Sequence, residues 1–210
     1  MTGRAIPGSA IPGSAVAEAP HRLFIAVPVP PSALDACRAL LDAVRTGPAA
    51  RGARWVRTEN LHLTLRFLGE VAPSRVPEIA DAIAAAVGGR SPFEVVLAGA
   101  GAFPSVARPR SLWIGIDSGT SGLAGLVDAL EGPLAALGWP STGGPFRPHL
   151  TVGRTDAVPV AVGSATAGAL ITAARDWRIS LRAERVVLYR SHMGGGPPRY
   201  APITEVDLAG

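Results

Sequence analysis

Apolar and polar residues alternate along this chain in short stretches, separated by longer ones in which the apolar positions recur every three to four residues. The first kind of spacing predicts strands and the second amphipathic helices. The spacing predicts a strand over 23–29, then a helix from Ser32, read as its N-cap, to Arg45, with Leu34, Cys37, Leu41 and Val44 on one face. A strand over 61–68 precedes a second helix over 74–87, marked by Val76, Ile79, Ile83 and Val87. Strands over 93–99 and 111–117 flank a Gly/Pro-containing loop that holds Arg108 and Arg110. A third helix over 120–137 carries Leu123, Leu126, Val127, Leu130, Leu134 and Leu137 and stops at Gly138. A strand over 147–152, a short helix over 164–174 and strands near 177–182, 185–190 and 202–208 complete the pattern. Patterning alone therefore gives a mixed α/β chain.

Composition narrows the class. The chain has 210 residues, 48% of them hydrophobic, which is long and apolar enough to bury a proper core. No apolar run approaches the roughly 18–20 residues of a membrane span. Residues 1–20 differ from the rest: Ala5-Ile6-Pro7-Gly8-Ser9 recurs as Ala10-Ile11-Pro12-Gly13-Ser14, a Pro/Gly/Ser-rich stretch expected to be a flexible tail ahead of one domain over 21–210. That stretch lacks the continuous apolar segment of a secretory signal. A single cysteine, Cys37, excludes an intrachain disulfide and suits a reducing cytoplasm. All 20 basic residues are arginine, and the net charge of +4 permits a polyanionic partner without arguing for one. With no lysine anywhere, a phosphate-binding G-x-x-x-x-G-K-[ST] loop is excluded.

Two tetrapeptides carry the candidate chemistry, His62-Leu63-Thr64-Leu65 and His149-Leu150-Thr151-Val152. In a strand, His62 and Thr64 share one face while Leu63 and Leu65 face a core, and the second copy repeats the arrangement. Histidine gives and takes protons near neutral pH, so a pair can divide acid and base work on a phosphodiester. A threonine hydroxyl two residues on can donate to a non-bridging oxygen, where negative charge must be held. Each motif offers one histidine with no acidic or thiol cluster at ligand spacing, which argues against a metal site and a cofactor. His21 and His192 lie in no repeated motif and read as surface residues, and Trp55, Trp113, Trp139 and Trp177 as core or lobe-edge aromatics.

The wider contexts, Asn60-Leu61-His62-Leu63-Thr64-Leu65-Arg66-Phe67-Leu68-Gly69-Glu70-Val71 and Phe146-Arg147-Pro148-His149-Leu150-Thr151-Val152-Gly153-Arg154, resemble the paired motifs of the two-histidine phosphoesterase superfamily. The nearest likeness is to the RNA 2′,3′-cyclic phosphodiesterases, or 2′-5′ RNA ligases (LigT-like proteins). Arg22-Leu23-Phe24-Ile25-Ala26-Val27, Ser111-Leu112-Trp113-Ile114-Gly115, Val187-Leu188-Tyr189 and Arg199-Tyr200 agree with it. The resemblance implies an α+β fold of two pseudo-symmetric lobes, with antiparallel sheets around a central groove and helices outside. It implies His62 as general acid, His149 as general base, and Thr64, Thr151 and Arg154 on the phosphate. Phe67 would stack on a base, no metal or cofactor would be needed, and the partner would be an RNA end bearing a 2′,3′-cyclic phosphate, bound by a cytoplasmic monomer. Strict alternation objects to two of these residues: it turns Arg66 toward the cleft and Phe67 toward the core, and it puts Gly153 in place of Arg154 beside Thr151. The family roles need each strand to bulge or twist after its motif. Two rivals stay open, a cyclic phosphodiesterase for small nucleotides such as ADP-ribose cyclic phosphate, and a non-catalytic module that binds RNA ends.

Overall fold

The computed structural model describes residues 19–47, 51–141, 143–192 and 198–210. Most of the repeat-bearing stretch over 1–20 and the triple glycine over 194–196 lie outside the described residues. The elements are β1 (His21–Pro28), α1 (Pro31–Arg45), β2 (Arg54–Trp55), β3 (His62–Val71), α2 (Val76–Val87), β4 (Phe93–Phe103), β5 (Ser111–Ser118), α3 (Thr120–Ala136), β6 (Leu150–Arg154), α4 (Val160–Ala173), β7 (Arg178–Ala183), β8 (Arg185–His192) and β9 (Arg199–Asp207).

All the strands join one antiparallel sheet in the order β7-β4-β5-β6-β3-β1-β8-β9, with β2 added on β6. The two lobes are the halves of this sheet. They meet where β3 and β6 pair, through Leu63 and Leu150. One residue pair is a weak seam, and the helices reinforce it. β1-α1-β3 and β5-α3-β6 are equivalent units, and each helix crosses to the other half: α1 packs on β7 and α3 on β3. α4 lies beside α1 and α2 beside α3, so each half is backed by a helix pair. The core between helices and sheet takes alternate strand residues, including Leu23, Ile25 and Val27, Leu63 and Leu65, Leu112 and Ile114, and Leu150 and Val152. Burying side chains of this size contributes about 1.5–3 kcal/mol each.

Helix boundaries differ from the sequence expectation where capping decides them. α1 does not start at a Ser32 N-cap. Pro30 holds the cap position in extended conformation, makes no side-chain cap bond, and leaves Ser32 inside the helix. Proline tolerates this place because its missing N–H would be unpaired there in any case. α4 begins four residues earlier than its apolar spacing suggested, after Pro159, because Gly163, Thr166 and Ala167 are all small enough to be buried. α3 ends as its sequence indicates. Gly138 (φ +94°) donates to the Ala135 carbonyl, and Trp139 donates to the Leu134 carbonyl, a Schellman closure. That turn lays Trp139 against β3, where its indole Nε1 donates to the Leu68 carbonyl at 3.0 Å.

Candidate active site

β3 and β6 repeat each other in more than sequence. His62 begins β3, and His149 sits immediately before β6, whose first residue is Leu150 and not 147 as the apolar pattern suggested. Each imidazole is fixed from behind in one way: His62 Nδ1 lies 2.7 Å from the Asn60 carbonyl oxygen, and His149 Nδ1 lies 2.7 Å from the Arg147 carbonyl oxygen. A carbonyl only accepts, so Nδ1 carries the hydrogen in both rings. The neutral ring then has its lone pair on Nε2.

The register also slips at equivalent places. β1 pairs Ala26 with Thr64 and Ile25 with Arg66, skipping Leu65. β5 pairs Trp113 with Thr151 and Leu112 with Gly153, skipping Val152. Each motif strand therefore bulges at the residue after its threonine. A second irregularity between Leu23 and Phe24 skips Leu68. These bulges overturn the simple alternation. Phe67 does not enter the core and is 64% exposed, with its ring 6.0 Å from that of Phe24 on the groove face. Arg66 does not point freely into the cleft. Its guanidinium donates to the carbonyls of Trp139 and Pro140. Gly153 is buried, and Arg154 is exposed one step further on. Phe67 and Arg154 thus hold matching positions: Phe67 opposes Phe24 of β1, and Arg154 opposes Ser111 of β5.

Arg154 is held in place by its neighbours. Thr155 donates from its backbone N–H to the Arg110 carbonyl, and its hydroxyl donates to the Pro109 carbonyl at 2.6 Å. Asp156, the nearest carboxylate in sequence, is taken by Arg54 at 2.9 Å. That hydrogen bond holds the Asp156 carboxyl below its ordinary range. The Arg154 guanidinium makes no ion pair among the described residues, which leaves its fork for an anion.

The two histidines differ in surroundings. His62 stands in an aromatic cage: Phe24 at 4.8 Å between ring centroids, Tyr200 edge-on at 5.2 Å and Tyr189 at 6.1 Å. Phe24 is itself buried beneath Tyr189, stacked at 5.2 Å, and Tyr200. The side chain of Asn60 closes the cage, its amide donating to the Pro198 carbonyl just before β9 at 2.9 Å. Among the described residues His149 has only Phe103, edge-on at 5.0 Å, which in turn leans on Trp113 at 5.3 Å. Trp113 lies on the groove face of β5 and not in the core. Gly101 makes room for its indole, since a Cβ there would fall 2.3 Å from Trp113 Cζ2. Burial lowers the pKa of His62 below the ordinary histidine value; its bond to Asn60 opposes this, and the nearby charge of His149 lowers it further. Burial raises the Tyr200 hydroxyl, while Arg154 and Arg22 pull it back.

The cage residues Phe24, Tyr189 and Tyr200, and Phe103 beside His149, are not identifiable as site residues from spacing. The available signal was parity: Phe24 alternates with Leu23 and Ile25, which are core. His21 and His192 line, with Arg190, a separate shallow pocket against Pro73, Val76 and Pro77 on the helix side of the sheet. Among the described residues no three His, Cys, Asp or Glu side chains gather as a ligand set, and no helix is long and apolar enough to cross a membrane.

Comparison with known proteins bears on this geometry. Residues 27–113, which include the first motif, match the sequence model of the family described as LigT like Phosphoesterase. An Archaeoglobus fulgidus protein named RNA 2′,3′-cyclic phosphodiesterase is 35% identical over 133 residues, 63% of this chain and 72% of the relative. Relatives of the same name from Aeropyrum pernix (38% identical) and Thermotoga maritima (39% identical) match over 47% and 51% of this chain. The chain spans only 55% and 57% of their lengths. In three dimensions, the crystal structure of Escherichia coli LigT complexed with 3′-AMP superposes with a TM-score of 0.69 at 25% identity, covering 91% of this chain and 99% of that one. A sheet curled around paired His-x-Thr strands, a matching family model and a relative 35% identical across most of its length agree: this chain belongs to the LigT-like phosphoesterase family.

Proposed function

We propose that the protein hydrolyses RNA 2′,3′-cyclic phosphate ends to 2′-phosphates, by proton transfers between the two histidines and without a metal ion. The observation that carries this reading is the matched pair of imidazoles, each with Nδ1 held on a backbone carbonyl, which leaves Nε2 as the nitrogen that can exchange a proton. In the forward step the oxygen of a water attacks phosphorus and His149 Nε2 takes its proton. The P–O3′ bond breaks, and protonated His62 gives its Nε2 proton to the departing O3′. The products are a 2′-phosphomonoester and a free 3′-hydroxyl. Thr64 and Thr151 donate hydrogen bonds to the non-bridging oxygens, Arg154 neutralises their charge, and the exposed ring of Phe67 stacks on the terminal base. Replacing water by the 5′-hydroxyl of a second strand would join it through a 2′-5′ linkage, the ligation direction.

The burial of His62 bears on its role. Its lowered pKa favours the neutral ring, whereas a general acid must start protonated. The bound phosphate supplies the counter-charge that restores the proton. The alternative division, with His62 as base, has the same burial in its favour, and the product separates the two. If His62 is the acid beside O3′, a 2′-phosphate forms; a 3′-phosphate reverses the labels. The experiment is incubation of the pure protein with an oligonucleotide ending in 2′,3′-cyclic phosphate, in excess EDTA, with phosphorus NMR of the product. Turnover to a 2′-phosphate is expected. Turnover that stops with chelator and returns with a divalent ion overturns metal independence, and binding without turnover makes the protein an RNA-end-binding module.

A further inference from the structure

The groove face of the β3-β1-β8-β9 half is ordered in rows across the strands, and the rows change chemistry along β1 from its Pro28 end, with the Tyr200 ring leaning back to 5.2 Å from His62. Nearest lie His62 opposite Pro28 and Thr64 opposite Ala26. Next comes an aromatic row, Phe67 opposite Phe24 opposite Tyr189. Beyond it is a polar row, Arg22 opposite Ser191 on β8, and Ser191 opposite Tyr200 on β9, with Glu70 at the β3 end. Arg22 is two residues from Phe24 on one strand face, a step of about 7 Å.

We propose that Arg22, Ser191 and Tyr200 form a second anion subsite, which takes the phosphodiester joining the terminal nucleotide to the one before it. This rests on the cyclic-phosphate reading of the groove and names its substrate class: oligonucleotide ends in preference to mononucleotides. In a strand of RNA the order from the 3′ end is cyclic phosphate, nucleoside, phosphodiester. The groove offers histidine and threonine, aromatic rings, then a guanidinium with two hydroxyls, in the same order along β1.

The state of Arg22 supports an anionic occupant. Arg22 is exposed on the groove face and makes no ion pair among the described residues, even with Glu70 opposite it in register. Tyr200 connects the two subsites. Its ring rests edge-on against His62 and Phe24, and its hydroxyl responds to the charges of both Arg154 and Arg22. The Tyr200 ring is engaged edge-on by His62 and Phe24, and the row offers a phosphate one cation and two O–H donors, with the Glu70 carboxylate at its β3 end.

The test compares a nucleoside 2′,3′-cyclic phosphate with a dinucleotide ending in the same nucleoside 2′,3′-cyclic phosphate, in wild type, Arg22→Met and Arg22→Lys. The ratio of kcat/KM, dinucleotide over mononucleotide, should fall by about three- to tenfold in Arg22→Met, the worth of an exposed charge-assisted contact, and recover partly in Arg22→Lys. Log KM for the dinucleotide should rise with log salt by about 0.7 more than for the mononucleotide, and Arg22→Met should erase that difference. An unchanged ratio in Arg22→Met, or equal losses on both substrates, overturns the subsite while leaving the histidine chemistry standing. No turnover of either substrate by wild type overturns the groove reading itself, and the subsite with it.

Discussion

The β3 and β6 halves of the groove are built to one plan and finished differently. Each provides a histidine whose Nδ1–H is held on the carbonyl two residues back, a threonine two residues on, a bulge at the next residue, and an exposed side chain at the fifth position after the histidine. The differences lie in what surrounds that plan. His62 is enclosed by Phe24, Tyr189 and Tyr200 and pinned through Asn60, whereas His149 touches only Phe103 among the aromatic rings. The fifth position is Phe67 in one half and Arg154 in the other. Repetition places two imidazoles on one groove, and burial lowers the proton affinity of His62.

The largest effects should come from breaking the pair itself. His62→Ala and His149→Ala should each lower kcat by about 10²–10⁴ on a 2′,3′-cyclic phosphate end, the usual worth of general acid–base catalysis. The double variant should lose little beyond the worse single one, because residues that act as a unit are not additive. Near-wild-type turnover in either single variant would end the shared mechanism. Thr64→Val and Thr151→Val remove one donor each from the non-bridging oxygens and should cost about 10²-fold in kcat, toward the lower end for such donors. Symmetry predicts similar losses for the two. A loss confined to one threonine would show that only one half holds the charge developed in the transition state.

Smaller effects should sharpen the contrast at the fifth position. Arg154→Met removes a charged donor and should lower kcat/KM by roughly 10- to 100-fold, from about 1.5–3 kcal/mol for a hydrogen bond to a charged group. Phe67→Ala should act mainly on KM, by about fivefold or more, the lower range for stacking of one base. It should matter less for a substrate that lacks a base, such as a ribose 2′,3′-cyclic phosphate, while Arg154→Met should hurt both substrates alike. Equal sensitivity to the base in the two variants would mean that Arg154 and Phe67 do not divide phosphate and base between them.

Much of this is legible in the sequence, and the omissions at the site share one cause, pairing between strands. Element types follow from local spacing: the leucines of α3 and the alternation of β1 report their own faces. The histidines and threonines were found because both motifs recur as contiguous tetrapeptides. Alternation then misplaced Arg66 and Phe67, because the bulges at Leu65 and Leu68 are properties of the pairing with β1, not of the β3 sequence. The cage was hidden for a similar reason. Phe24 lies far in the chain from Tyr189 and Tyr200, and only the β3-β1-β8-β9 register brings the three over His62. Ser32 misled because a good capping residue does not cap when Pro30 already holds the extended entry to the helix.

The mildest test acts on the asymmetry without touching either ring. Asn60 holds His62 in two ways, its carbonyl taking the Nδ1–H and its side-chain amide fixing Pro198, just before the strand that carries Tyr200. Asn60→Ala keeps the first contact and removes the second, so β9 should loosen from the groove and let water reach the imidazole. Burial is the main cause of the lowered His62 pKa, so admitting water should raise it toward the ordinary histidine value of about 6.5. A titration of the His62 ring followed by NMR in the free protein reads this directly. The sign carries into stability. Because the folded pKa lies below the unfolded one, wild type gains stability from His62 above about pH 6.5 and loses it as the pH falls toward the folded value. Asn60→Ala should shrink that acid loss, seen as a flatter Tm against pH between neutral and mildly acid conditions. In catalysis the bound phosphate favours the protonated ring, so the alkaline limb of kcat should lie above that of kcat/KM in wild type, with a smaller gap in the variant. An unchanged His62 titration in Asn60→Ala would show that Phe24 and Tyr189 alone keep the ring dry, and that the link from Asn60 to Pro198 has no part in distinguishing the two histidines.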